Sequence, residues 1–187
     1  MLVLVRHGES ESNANKVMGG QMNTPLTSEG RRQCRSIIDL VLYQFDAVFT
    51  SDLERCLDTA DIMVGKRYAR DTWIVAEELR ERSGGLFEGR TYTDLRKELA
   101  PREYKKWQRD YYATPPMGES LEDVEKRVIP YCEEFIFPLV REGNDVLVFT
   151  HARVIQVLIG YLKDMDKKEA IRLPIENATP YFYRGPV

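Results

Sequence analysis

The chain opens with MLVLVRHGESESN (residues 1–13), and this stretch decides which fold the sequence predicts. Residues 2–5 form an apolar run that is too brief for a core helix, so they predict a buried strand of a parallel or mixed sheet. Arg6 and His7 follow at once, and Gly8 lets the backbone turn and approach a ligand closely. Because ligands of open α/β sheets bind where strands end, the stretch indicates an anion site that contains an imidazole. A solvated arginine and a histidine bonded to the backbone would give the same pattern.

Length and composition favour a single globular domain over residues 1–187. The chain has 187 residues, of which 43% are hydrophobic and 30% charged, and its net charge is −3. Because there is no basic block, we expect neither nucleic acid nor a membrane surface as a partner. The apolar run at the amino terminus is shorter than that of an export signal, and no stretch has the length of a membrane span, so we expect a cytoplasmic protein. The oligomeric state stays open, with a homodimer as one option.

Cysteine and histidine are rare in this chain. The three cysteines, Cys34, Cys56 and Cys132, are scattered, so they predict packing residues in a reducing compartment and no disulfide framework. Neither of the two histidines, His7 and His151, has a second histidine or a cysteine nearby at metal-ligand spacing. We therefore expect no zinc or iron site and no cofactor.

Strand and helix signals alternate along the chain. Further strands are predicted at residues 47–49, 73–75, 145–149 and 179–183. Helices are predicted at residues 26–43, 52–66, 91–99, 101–111 and about 120–141, and a further helix after His151 ends at residue 162; polar loops are predicted at 10–24 and 77–89. This alternation predicts an α/β fold, in which helices flank a largely parallel sheet.

Particular residues set the expected helix boundaries. Thr27 and Ser51 are predicted N-caps of the helices at 26–43 and 52–66. The first of these helices carries an apolar stripe of Ile37, Ile38, Val41 and Leu42. Pro130 and Pro138 should bend or interrupt the long helix near 120–141.

Chemistry-bearing residues recur where predicted strands end. Thr150 and His151 follow an apolar strand as Arg6 and His7 do, so the two imidazoles would lie side by side if those strands were neighbours. The same crevice is within reach of Arg55, which lies one turn into the helix after the second strand. It is also within reach of Glu81, in the loop after the third strand. Guanidinium groups match the charge that spreads over a transferred phosphoryl group. A neutral imidazole can attack phosphorus, and a protonated carboxyl group can supply the proton that the leaving alcohol needs.

Six stretches resemble, in chain order, the successive signatures of the histidine phosphatase superfamily, the phosphoglycerate mutase-like enzymes. They are RHGESESN (6–13), PLTSEG (25–30), SDLERCLDTA (51–60), ELRERSGGLFEG (78–89), GESLEDVEKRV (118–128) and VLVFTHA (146–152). The resemblance covers nearly the whole chain and implies a three-layer sandwich around a mixed, mostly parallel sheet of about five to six strands.

The same resemblance implies roles for individual residues. His7 would be the phosphorylated nucleophile, and Glu81 would be the proton donor. The phosphate pocket would consist of Arg6, Arg55 and His151. Asn13, Gly19 and Gly20 would contact a phosphorylated small-molecule substrate, and Ala152, Arg109 and Arg153 are further candidate substrate-binding residues. For Arg153, a surface position that caps a helix is an equally good interpretation.

The resemblance leaves two activities of this superfamily open, phosphoglycerate mutase and phosphatase. KKWQRDYYATPP (105–116) and TPYFY (179–183) resemble cofactor-dependent phosphoglycerate mutases. The segment that follows the double proline in mutases is absent, however, and Gly84, Tyr92, Gln108, Ala152 and Arg153 depart from the mutase pattern. A mutase must keep water from its intermediate, which is a task for lids. A shortened lid therefore favours a metal-independent phosphatase, with a mutase and a catalytically silent phospho-ligand-binding module as alternatives.

Overall fold

Four parallel strands and one antiparallel edge strand form a mixed sheet in the computed structural model, which describes residues 1–37 and 44–187. The strands are β1 (Leu2–Arg6), β2 (Ala47–Ser51), β3 (Ile74–Ala76), β4 (Val146–Thr150) and β5 (Pro180–Tyr183), in the spatial order β3-β2-β4-β1-β5. The two most apolar strands, β1 and β4, are neighbours, because strands buried on both faces belong at the centre of a sheet. The predicted mixed, mostly parallel sheet of five to six strands is therefore confirmed.

Nine α-helices surround the sheet within the described part of the chain. They are α1 (Glu11–Ala14), α2 (Ser28–Ser36), α3 (Glu54–Val64), α4 (Tyr92–Glu98), α5 (Pro101–Arg109), α6 (Leu121–Tyr131), α7 (Phe137–Arg141), α8 (Ala152–Leu162) and α9 (Lys167–Ala170). No helix in residues 1–37 and 44–187 combines the length and the apolar character needed to cross a bilayer.

Alternate residues of the central strands face two separate hydrophobic cores. Leu2, Leu4, Val146 and Val148 pack with residues of α6 and α8, whereas Val3, Val5, Leu147 and Phe149 pack with residues of α3. Successive side chains of a strand point to opposite faces, so each face of the sheet is covered by its own helices. The arrangement gives the expected three layers of helix, sheet and helix.

Two predicted N-caps have different outcomes. Thr27 caps α2, because its hydroxyl accepts a hydrogen bond from the backbone N–H of Gly30 at 2.9 Å. The predicted cap at Ser51 is wrong: Ser51 ends β2, and α3 begins three residues later, at Glu54. The apolar stripe at Ile38, Val41 and Leu42 lies outside the described residues.

The long helix predicted near 120–141 is interrupted. Ser120 and Asp123 form a capping box at the start of α6. A π-helical turn, Cys132–Ile136, separates α6 from α7. Pro138 has no N–H and its ring disfavours a regular helical turn before it, which accounts for the wider turn at this place. Pro130, by contrast, lies within α6.

Candidate active site

The pairing of β1 with β4 brings the two histidines together. Arg6 lies opposite Thr150 in the parallel register, so the residues that follow them leave the sheet side by side. The backbone N–H of His7 donates to the carbonyl of Thr150 at 3.1 Å. The imidazole centroids of His7 and His151 are 5.1 Å apart, with the ring planes at 60°.

His7 has the protonation pattern of a nucleophile. Its Nδ1 lies 2.7 Å from the carbonyl oxygen of Gly8, and because a carbonyl only accepts, Nδ1 carries the proton and Nε2 keeps its lone pair. Burial, together with the positive charges of Arg55 and Arg6, lowers the pKa of His7 well below the usual value for histidine. The ring is therefore neutral at physiological pH.

His151 is fully buried behind His7, at the start of α8. Its Nε2 lies 3.0 Å from the hydroxyl of Ser51 and 3.3 Å from the thiol of Cys56. Burial and the charge of Arg55 lower the pKa of His151 well below its usual value. Burial also raises the pKa of the Cys56 thiol, so this group stays protonated. The sequence analysis assigned Cys56 to packing alone and missed this contact, for which the sequence holds no signal.

Two arginines bring positive charge to His7 without a carboxylate partner among the described residues. Arg55 is 2% exposed and donates to the carbonyl oxygens of Met22 and Gly20, both at 2.7 Å. Arg6 donates to the carbonyl of Ile175 at 2.6 Å, and its buried Nε has no hydrogen-bond partner. Burial lowers the pKa of both guanidinium groups. Because unpaired charges are costly to bury, this arrangement is suited to an anionic ligand.

A cavity of about 390 Å³ opens in front of His7. The predicted residues that line it are Arg6, His7, Asn13, Gly19, Gly20, Arg55, Glu81, Ala152 and Arg153. His151 is not among the lining residues, because it lies behind the ring of His7. The carboxylate of Glu81 accepts a hydrogen bond from the backbone N–H of Arg82 at 2.8 Å, which ties the side chain to the loop that carries it.

Arg109 also lies outside the lining of the main cavity. It lines a neighbouring cavity with Gln108, Ile171 and Arg172, the first two of which also line the main cavity, and its role in substrate binding stays a prediction. The reason is helical geometry: α5 buries Trp107 and turns Gln108 towards the main cavity, so the next side chain, about 100° further round, points away.

Arg82 is a cavity residue that the sequence analysis missed. It is 4% exposed, donates to the carbonyl of Trp107 at 3.1 Å and lies over the Trp107 ring. Burial and the nearby charge of Arg153 lower the pKa of Arg82 to about 10. Its position directly after Glu81 could have identified it as a cavity residue. The charged run around it was considered only as the source of an acid.

Gln156 and several loop residues complete the wall. Gln156 accepts a hydrogen bond from Arg153 at 2.9 Å, and their spacing of three residues on α8 is the signal that could have identified it. The other lining residues are Ser12, Val17, Met18, Tyr92, Trp107, Gln108, Ile171 and Ile175; of these, Trp107 belongs to an aromatic group whose helical spacing predicts either a wall of the crevice or packing. They come from loops and from three helices, and no sequence spacing connects them.

Comparison with known proteins identifies relatives of the whole chain. Residues 2–183 match the family described as the histidine phosphatase superfamily (branch 1). A 2,3-bisphosphoglycerate-dependent phosphoglycerate mutase of Cytophaga hutchinsonii is 32% identical, over 98% of this chain and 86% of the mutase.

Solved structures of similar fold include phosphatases. A mycobacterial glucosyl-3-phosphoglycerate phosphatase in complex with VO3 has a TM-score of 0.84 and 28% identity, and the alignment covers 96% of this chain and 90% of the phosphatase. The YhfR protein of Bacillus stearothermophilus has a TM-score of 0.82 and 31% identity, over 95% of this chain and 86% of its own. The relatives thus carry the names of two different activities.

Proposed function

The chain belongs to the histidine phosphatase superfamily, and on this basis we propose that it hydrolyses phosphate monoesters, without a metal ion, through a phosphohistidine on His7. One observation carries the proposal: the neutral ring of His7, held by Gly8 through Nδ1, lies beside two arginines that have no carboxylate partner in the described part of the chain. A nucleophile with a free lone pair beside positive charges that can bind an anion is what phosphoryl transfer requires.

The proposed reaction has two steps. Nε2 of His7 attacks phosphorus while Glu81 gives its proton to the departing ester oxygen, so the phosphoryl group moves to His7 and the alcohol leaves. Arg6 and Arg55, which line the cavity, bind the phosphoryl oxygens and stabilise the charge that spreads over them, while the buried ring of His151 packs against that of His7. In the second step Glu81 takes a proton from water while the water oxygen attacks phosphorus. The bond between phosphorus and Nε2 breaks, which releases inorganic phosphate and restores His7.

Residues 110–119, where a mutase would have the longer segment that the sequence analysis treats as a lid, support hydrolysis over a mutase reaction. The backbone N–H of Leu86 donates to Pro116 at 2.9 Å, and that of Glu119 donates to Ser83 at 3.0 Å, so this segment is bonded to the loop after Glu81. Residues 110–119 contribute nothing to the lining of the cavity. This arrangement supports a cavity that stays open to water, whereas a mutase must exclude water from its intermediate.

The test of the phosphatase proposal uses 4-nitrophenyl phosphate with an excess of a metal chelator. We expect steady phosphate release by the wild type and none above background by His7→Ala. The wild type, quenched during turnover, should carry a phosphoryl group that is lost in acid and stable in base, as expected of a phosphohistidine. Activity that survives in His7→Ala, or that the chelator abolishes, would contradict the mechanism.

A phosphoglycerate mutase is the second candidate, because the relative from Cytophaga hutchinsonii carries that name. The measurement that separates the two is a coupled assay of 3-phosphoglycerate isomerisation with and without 2,3-bisphosphoglycerate. Isomer formed faster than phosphate is released would favour the mutase. Neither isomerisation nor phosphate release, with phosphate still bound, would favour the silent binding module.

A further inference from the structure

An ion pair between Glu119, which precedes α6, and Arg127 of α6 lies next to the loop that carries Glu81. Arg127 donates to Glu119 through Nε at 2.8 Å and through a second nitrogen at 3.0 Å, which is a two-point contact between planar groups. The side chains are 21% and 22% exposed, so water screens the pair only in part. Both residues belong to the GESLEDVEKRV stretch, to which the reaction steps above assign no role.

Besides bonding to each other, the two side chains of the pair hold the main chain around Glu81. Arg127 donates to the carbonyl oxygens of Glu81 at 3.1 Å and Glu78 at 2.5 Å. The carboxylate of Glu119 accepts from the backbone N–H of Ser83 at 2.8 Å. The loop is therefore fixed three residues before, at, and two residues after the candidate acid.

Gln21 connects this network to the opposite wall of the cavity. Its side-chain amide donates to the carbonyl of Glu81 at 3.1 Å and to the carboxylate of Glu119 at 3.4 Å. Gln21 directly follows Gly20, whose carbonyl accepts from Arg55. The carbonyl of Glu81 thus has two donors, one from α6 and one from the loop that holds the phosphate-binding arginine.

We propose that the ion pair between Glu119 and Arg127 positions the carboxyl group of Glu81 for proton transfer to the leaving oxygen, an inference that rests on the phosphatase function proposed above. Proton transfer requires the acid within hydrogen-bond reach of the leaving oxygen, and a misplacement of about 1 Å can cost about 100-fold in rate. With its backbone fixed at three points, Glu81 reaches the substrate by side-chain rotation alone. Arg127 and Glu119 are therefore positioning residues, and only Glu81 contacts the reacting atoms.

A second ion pair on α6 provides a matched control. Lys126 pairs with Glu122 at 2.9 Å, and these side chains are 65% and 43% exposed. The pair bonds only along the helix, with no bond to the loop that carries Glu81. Loss of this pair should leave the acid in place.

The test compares two substrates that differ in their need for an acid. The leaving group of 4-nitrophenyl phosphate departs readily as the anion, whereas that of glycerol 2-phosphate, an alkoxide, needs a proton. We expect Arg127→Lys and Glu119→Gln to lower kcat/KM for glycerol 2-phosphate about tenfold or more, which is part of the 100- to 10,000-fold that acid catalysis typically supplies. The value for 4-nitrophenyl phosphate should change less than about threefold, and Lys126→Met should affect neither substrate.

Further variants separate positioning from folding. Glu81→Gln should show the same selective loss to a greater extent, and Glu119→Gln added to it should cause no further selective loss, because both changes act on one proton transfer. An equal loss on both substrates, or no loss on either, would overturn the proposal, and thermal unfolding would show whether an equal loss reflects instability. A wild type inactive towards both esters would instead reject the phosphatase function itself.

Discussion

His7 and His151 lie with ring centroids 5.1 Å apart because β1 and β4 pair in parallel with Arg6 opposite Thr150. The sheet register, rather than a loop, thus sets the spacing of the two imidazoles. A slip of one residue would move one of them by about 3.3 Å and turn it to the other face of the sheet. A site built on strand ends in this way is already organised before substrate binds.

Arg55→Lys should lower kcat/KM for 4-nitrophenyl phosphate by at least about 100-fold. The planar guanidinium of Arg55 donates to Gly20 and Met22 while it faces the cavity, and an ammonium group cannot meet those directions together. Steady-state kinetics, with thermal unfolding to monitor the fold, would test this. Arg31→Lys is the control, because Arg31 of α2 pairs with Asp58 of α3, the helix that carries Arg55, and does not line the cavity. A lysine variant of Arg55 as active as the wild type would remove Arg55 from the phosphate site.

Gly20→Ala should reduce activity more than it reduces stability. Gly20 has a φ of +48°, and a Cβ there would lie 2.0 Å from the carboxylate of Glu88. The side chain of Glu88, which accepts from the backbone N–H of Gln21 at 3.0 Å, must therefore move, and we expect the loop and the carbonyl that orients Arg55 to move with it. We expect kcat/KM to fall about tenfold or more, and the free energy of unfolding to fall by about 1 to 3 kcal/mol, the usual cost of a left-handed non-glycine residue.

Gly143→Ala provides the comparison for that variant. Gly143 also has a positive φ, of +94°, but no atom lies within 4 Å of a Cβ added there. We expect a loss of stability with unchanged kcat/KM. Equal kinetic effects of the two substitutions would show that the loop at Gly20 does not control Arg55.

The sequence predicts the strand-borne half of the site better than the helix-borne half. Short apolar runs, which predict buried parallel strands, directly precede Arg6, His7 and Thr150. The sequence could therefore predict that these residues meet at one edge of the sheet. Arg55 and Glu81 were identified through ordered motifs, and the structure places both at the cavity. Their catalytic roles stay predictions until kinetics test them.

Positions that depend on helix rotation could not be predicted in the same way. Arg109 and Gln108 are adjacent in sequence, yet only Gln108 faces the main cavity, because one residue corresponds to about 100° around α5. The cap expected at Ser51 is wrong because of a contact between residues that are distant in sequence. β2 continues through Ser51, and the hydroxyl of Ser51 bonds to His151, a partner 100 residues away that no local pattern reveals.

Arg153→Gln should weaken binding of inorganic phosphate more than Arg109→Gln does. Arg153 lines the main cavity, where its charge lowers the pKa of Arg82, whereas Arg109 lies in the neighbouring cavity. Loss of a cation from the cavity should raise the inhibition constant of phosphate about tenfold, or about 1.4 kcal/mol. Arg109→Gln should change it less than about twofold. The opposite order would restore Arg109 as the substrate-binding residue.

The free energy of unfolding should decrease as the pH falls below about 6.5, because both histidines are buried as neutral rings. The folded-state pKa values of His7 and His151 lie well below 6.5, owing first to burial and then to Arg55. Below about pH 6.5 the unfolded chain binds protons that the folded chain does not, so stability is retained above that pH and lost towards the folded pKa values. Each histidine contributes a slope of up to about 1.4 kcal/mol per pH unit. Urea unfolding between pH 5 and 7.5 should show this slope, and His7→Gln should remove about half of it. A slope that His7→Gln leaves unchanged would mean that the fold does not lower the pKa of His7, which would contradict the burial of this ring as a neutral group.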